Sequence, residues 1–197
     1  MKKLLILTVF LASISLCFSQ NVETKLKNDF EQIISFTKNN EMQKVIEMTY
    51  PPFVNLLPEG GMAALASTML EGMGIKTMYE DVPINLRTTP VIELKNAVVC
   101  MAEYDANSVL EFTDKNMVDM FTMFSPEGYK IEKIGDNKVR MTGKGYLLAI
   151  KDEHTKGAWK YLNYDESIVN SNVSDNFLSD EIVEGAIKLK KALTEKE

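Results

Sequence analysis

The chain is 197 residues long, with 22 Lys or Arg against 28 Asp or Glu and a formal net charge of −6. That balance repels nucleic-acid phosphates and anionic lipid surfaces, and the basic residues are scattered apart from the C-terminal KLKKALTEK, so nucleic acid is excluded as an expected partner. The length suits one domain held together by its own core.

The opening stretch, MKKLLILTVFLASISLCFSQ, sets two lysines before an uncharged, mostly apolar run from Leu4 to Leu16, with small residues at Cys17 and Ser19. This is the layout of a secretory signal peptide, and the run falls short of the roughly 20 apolar residues of a spanning helix. Cleavage after Ser19 leaves Gln20 as the new terminus and, by removing two lysines and no acid, takes the net charge from −6 to −8. Lipid attachment at Cys17 would put Leu16 where a lipoprotein signal carries a small residue, which favours soluble export to the periplasm or the medium. No later hydrophobic run predicts membrane insertion.

From Val22 to Lys38, the residues Val22, Leu26, Phe30, Ile33, Ile34 and Thr37 share one face at helical spacing. NNEMQKVIEMTYPP reads as a short second helix with Asn40 as N-cap, stopped by Pro51–Pro52. A third helix runs from about Gly61 to Glu71 on a stripe of Met62, Leu65, Met69 and Met73. The period then changes to two. IKTMYEDVPINL alternates Met78, Glu80, Val82, Ile84 and Leu86 against the other face, and TPVIELKNAVVCMAEYD alternates Val98, Cys100, Ala102 and Tyr104, with SVLEF as a further short strand. TDKNMVDMFTMF predicts a helix with Met117, Met120, Phe121 and Phe124 on its apolar side. Residues 129–164 read as three consecutive strands, turned at Gly135–Asn137 and at Asp152–Gly157. A polar stretch then leads to a last amphipathic helix from about Asp180 to Leu193, whose acidic start and basic end suit the helix dipole.

Few features predict chemistry. His154, the single histidine, sits in the polar loop KDEHTKG and is expected in water. Trp159 and Tyr161 share a strand face and are expected to be core or the wall of a pocket. Cys100, the one cysteine left after cleavage, lies in the apolar run AVVCMAEY and reads as a buried, inert thiol. In MTGKGYLL, Gly143 and Gly145 face the same way, which allows a sheet bend or the close approach of a helix or ligand. NVS at Asn172 matches a glycosylation triplet, a pattern common by chance. No motif predicts a metal or a cofactor. Glu103 and Asp105, flanking Tyr104 at the end of an apolar run, are the nearest thing to catalytic carboxylates.

NNEMQKVIEMTYPPF, the long strand series with an inserted helix, and the closing YLLAIKDEHTKGAWKYLNY (Ala149 to Asp152, then Trp159 and Lys160) together resemble exported bacterial proteins of the nuclear-transport-factor-2-like superfamily, over residues 22 to 164. The resemblance implies an α+β fold, a cystatin-like cone in which a curved antiparallel sheet wraps around N-terminal helices. The helix near 114–124 and the linker and C-terminal surface helix of residues 165–197 are additions to it. Enzymes of this superfamily carry an acid or an Asp–His pair in the cone, a pattern not matched here because His154 lies in a hairpin. The cavity is carried over and the chemistry is not. The expected function is non-catalytic binding of a small apolar molecule or a peptide, lined by Tyr50, Tyr79, Tyr104, Trp159 and Tyr161, since aromatic rings offer an apolar wall with a polar handle. A homodimer through the sheet is the expected self-association. One rival is an isomerase or hydrolase with Glu103 or Asp105 as base and His154 nearby. The other is a partner-binding protein with a filled core.

Overall fold

The computed structural model describes residues 22–56, 72, 74–123, 128–166 and 174–195. Helix α1 covers residues 22–38, followed by α2 (Met42–Met48) and the short α3 (Pro51–Val54). The strands are β1 (Ile75–Tyr79), β2 (Arg87–Thr88), β3 (Ile92–Glu93), β4 (Val98–Phe112), β5 (Tyr129–Lys133), β6 (Lys138–Lys151) and β7 (Lys160–Asn163). Helix α4 (Asn116–Met123) lies between β4 and β5, and α5 (Asp180–Thr194) closes the chain.

A long antiparallel ribbon organises everything else. β4 and β6 pair without a break from Val98↔Lys151 to Glu111↔Lys138, a length of roughly 45 Å at the usual strand rise. Shorter strands line its two edges end to end. β1, β2 and β3 pair with successive parts of β4, while β5 and β7 take opposite ends of β6. The sheet is antiparallel and does not close. Residues 129–164 form the three consecutive antiparallel neighbours that the alternation predicts.

Because side chains alternate along a strand, the unbroken register assigns each residue of the ribbon to a face. Cys100, Ala102, Leu147 and Ala149 point to one side, where Leu26, Phe30, Ile33 and Ile34 of α1 bury against them together with Tyr161. Val99, Met101, Leu148 and Ile150 point to the other, under Ile182, Ala186, Leu189 and Leu193 of α5. At this end the sheet is the middle layer of three. A carbon added at Gly185 would lie 3.2 Å from Leu94 Cδ1, so α5 sits close to the sheet. Its Glu181 carboxylate also accepts from the backbone N–H groups of Lys95 (3.1 Å) and Asn96 (3.2 Å). The C-terminal helix is therefore amphipathic, with one face exposed and its apolar stripe forming part of the core. At the far end of the ribbon α4 packs Val118 against Ile75, Leu110, Phe112 and Val139, on the α1 side only.

Several local expectations change. Asn40 does not cap α2. It takes φ 57° in the turn leaving α1, a left-handed conformation that asparagine tolerates, and Glu41 precedes the helix instead. Pro51 and Pro52 begin α3, where a missing N–H costs nothing, rather than only ending α2. The predicted strand over 75–86 stops at Tyr79, and Ile84 and Leu86 reach the α1 cluster from an irregular segment. SVLEF is the last third of β4 and no separate strand. On α4 the buried residue is Val118, while Met120 is 49 % exposed. The leader, the helix from Gly61 to Glu71, Phe124 and Asn172 lie outside the described residues.

Candidate functional site

The five predicted lining residues do not share one surface. Tyr50, at the start of α3, is buried in the α5 cluster, and its hydroxyl donates to Asp152 Oδ2 at 2.5 Å. Asp152 also accepts from the His154 (2.9 Å) and Thr155 (3.2 Å) backbone N–H groups, so it organises the hairpin tip as well. Tyr161 lies across the sheet from Tyr50. Its ring stands edge-on to Phe30 at 5.3 Å, and its hydroxyl donates to Asp29 on α1. Burial first, then the neighbouring carboxylate, pushes both phenols well above the ordinary range. Two of the expected polar handles are thus spent inside the fold. Trp159 is partly buried and packs against the α1 cluster. Tyr79 and Tyr104 remain.

These two meet a third ring that sequence reasoning missed. Between the stretch of sheet covered by α1 and that covered by α4, the same face carries Tyr104 on β4, Tyr79 on β1 and Tyr129 on β5. Tyr104 is paired with Gly145, and Tyr129 with Gly143. A carbon added at Gly145 would sit 2.3 Å from Tyr104 Cζ, and one added at Gly143 would sit 2.6 Å from Tyr129 Cδ1. Each ring therefore occupies the space that a Cβ on its glycine partner would need, which no other residue there would allow. The two bare positions of MTGKGYLL serve the close approach of aromatic rings from neighbouring strands. The signal for Tyr129 was available in the register: a hairpin turned at Gly135–Asn137 sets it opposite Gly143.

The Tyr104 phenol is pushed up to about 12, by burial first and then by Tyr129 and Tyr79. Burial likewise raises Tyr79 and Tyr129. All three hydroxyls stay neutral across the physiological range. Tyr79 is 42 % exposed, and Tyr104, Tyr129, Ala106, Met141 and Gly143 are half-buried. The strip runs from Gly145 to Met141 along β6 and across four strands, roughly 13 by 14 Å at ordinary strand spacings.

The opposite face of the same stretch is charged. Glu103 is buried, with Arg87 Nη2 at 2.7 Å and Lys144 Nζ at 3.3 Å. Asp105 receives Lys144 Nζ at 2.8 Å and Asn85 Nδ2 at 2.5 Å, contacts that hold its carboxyl below the usual range. Arg140 grips Glu80 with three hydrogen bonds of 2.8–3.2 Å and lowers its pKa. Neither Glu103 nor Asp105 faces the α1 side, and both carboxylates are engaged by cations. His154 is 54 % exposed at the hairpin tip, beyond the end of β6. Glu103 is opposite Tyr146 and the strand continues to Lys151, so the histidine is more than about 16 Å away along the sheet. The carboxylate near His154 is that of its neighbour Glu153, 3.7 Å away at the exposed tip, and neither Glu103 nor Asp105 pairs with it.

Cys100 is buried, its thiol pushed up to about 11 chiefly by burial. Among the described residues no group of three or more His, Cys, Asp or Glu is arranged to hold a metal ion. A shallow depression of about 390 Å³ near Lys76 and Glu111 has its polar groups engaged already, since Glu111 takes Asn137 Nδ2 at 3.4 Å and Lys138 Nζ at 3.5 Å. No described helix is long and apolar enough to cross a membrane. No family model, curated protein or solved structure matches the chain.

Proposed function

We propose that this chain is an exported, non-catalytic domain that binds a small, uncharged, ring-bearing molecule on the tyrosine strip of the α1 face. The observation that carries the reading is the pair of rings seated in the space that the missing side chains of Gly145 and Gly143 leave, with Tyr79 beside them. Rings gathered on one face of a sheet form an aromatic wall against which planar or ring-shaped partners pack favourably. The neutral hydroxyls of Tyr79 and Tyr104 supply the polar contacts that orient such a ligand. The strip is bounded by α1 and α4, which favours a small molecule over an extended peptide. In this reading the α1 side is the concave side of a nuclear-transport-factor-2-like cone, and the N-terminal run with its small residues at Cys17 and Ser19 is the export signal.

A thermal-shift screen of neutral sugars and heteroaromatic compounds tests the binding reading, since a ligand of the native state raises its apparent stability. Compounds that stabilise the chain should lose their effect in the Tyr79→Ala/Tyr129→Ala variant and keep it in Tyr50→Phe. The proposal fails if the panel contains no stabilising compound, or if the stabilisation survives in Tyr79→Ala/Tyr129→Ala.

A further inference from the structure

Among the described residues β5 ends the sheet on its side, with β6 as its neighbour. Its sequence, YKIEK, has an internal symmetry. Pair the strand with a copy of itself, antiparallel, about Ile131. Lys130 then stands opposite Glu132 of the second copy, Glu132 opposite Lys130, and Tyr129 opposite Lys133 at each end. Directly opposed residues must point to the same face of a sheet, so the two-fold axis has to pass through a residue. Moving it to Lys130 or Glu132 destroys both Lys–Glu pairs. One register alone is charge-matched.

The surroundings of this edge point the same way. α4 packs against β5, and Lys133 bonds Asp119 of α4 at 2.7 Å. Met120 and Met123 on α4 are 49 % and 84 % exposed, and Ile134, just past the strand, is 38 % exposed. Half of the exposed large hydrophobic residues among those described therefore border this one strand. Lys130 and Glu132 are both exposed, on the face away from α4. Charged side chains on an edge strand commonly serve to prevent edge-to-edge pairing. Like charges at the crossing would do that, whereas here the order of signs is self-complementary.

We propose that β5 is a homodimerisation edge, joining two copies of this chain antiparallel about Ile131 into one continuous sheet, with Lys130 and Glu132 paired reciprocally across the axis. This is an isologous contact, closed by its two-fold symmetry, and it does not propagate into fibres. On the α4 side the same axis brings the Met120 and Met123 surfaces of the two copies toward each other.

Sedimentation velocity over a concentration series tests the assignment. The chain should reach twice the monomer mass at high concentration. K130E and E132K should each weaken the dimer by at least about tenfold, because two attractive cross-strand pairs become two repulsive ones. K130E/E132K should restore it. The sharpest arm is an equimolar mixture of the K130E and E132K proteins, which should form a heterodimer although neither dimerises well alone. A local loss of structure in either variant would not be repaired by mixing. A chain that stays monomeric throughout overturns the proposal and leaves the charges as protection of the edge. Dimerisation undiminished in both single variants overturns it too, and assigns the contact to another surface.

Discussion

The two ends of the β4–β6 ribbon share the same strands and one unbroken register, yet they are built on different terms. Between Val98 and Ala102 both faces are covered by helices, and Val99, Cys100, Met101 and Ala102 are all almost fully buried. Beyond Glu103 the α1 side carries Tyr104, Ala106 and Ser108 and then Leu110 and Phe112 under α4, while the other side turns to Asp105, Asn107 and Glu111 with Val109 among them. At the two-sided end the sheet is stabilised by area removed from water. At the one-sided end, ion pairs on one face accompany a thin apolar layer on the other. Glu103 stands at the boundary, buried like its apolar neighbours but paired like the ladder that follows it. The tyrosine strip occupies the matching position on the α1 face, where α1 has ended and α4 has not begun.

Core truncation at the two-sided end should have the largest effect. Phe30→Ala removes a fully buried ring and should cost about 3–5 kcal/mol in urea unfolding. Glu103→Ala should come next, at about 2–3 kcal/mol. It removes a carboxylate shared by two cations, and the cost of a broken buried pair is reduced because Arg87 and Lys144 reach water and Lys144 keeps Asp105. If it proves neutral, the boundary is no more than surface. Gly145→Ala should cost about 1–3 kcal/mol by driving a Cβ into the Tyr104 ring, and should quench ligand-induced stabilisation as that ring is displaced.

Acid should act on the charged face. Asp105 is held below its ordinary pKa by Lys144, then Asn85, and Glu80 is held low by Arg140. Their stabilisation is present above the unfolded carboxyl value near 4 and is lost as pH falls through the lowered folded values. Unfolding midpoints should fall below about pH 4, and Arg140→Met should remove the part owed to Glu80. The smallest effect belongs to the hairpin tip, where His154→Ala should change stability by no more than about 0.5 kcal/mol.

Periodicity made the strands and the face of α1 readable, because burial on one side writes a pattern at i, i+3 and i+4 or at every second residue. The α+β class and the order of β5, β6 and β7 follow from it. The role of α5 was legible in its apolar stripe, but a stripe does not say which surface covers it. Tyr50 and Tyr161 were read as ligand handles because phenols carry one. Their partners, Asp152 and Asp29, are 102 and 132 residues away in sequence, and such pairings leave no local trace. The glycines at 143 and 145 marked the candidate site better than the tyrosines did. A missing side chain in a strand demands a visitor, and here the register names it.

The ribbon also has a direction in time. Its closest pair in sequence, Glu111↔Lys138, encloses a much shorter loop than its farthest, Val98↔Lys151, and closing the shorter loop is entropically easier. The β5–β6 hairpin is more local still, while the two-sided end waits for α1 and α5 from opposite termini of the chain. Folding should therefore start at the end with the ion pairs and zip toward the end with the deeper core, so that substitutions near Val139 slow folding and those at Phe30 or Leu189 mainly hasten unfolding.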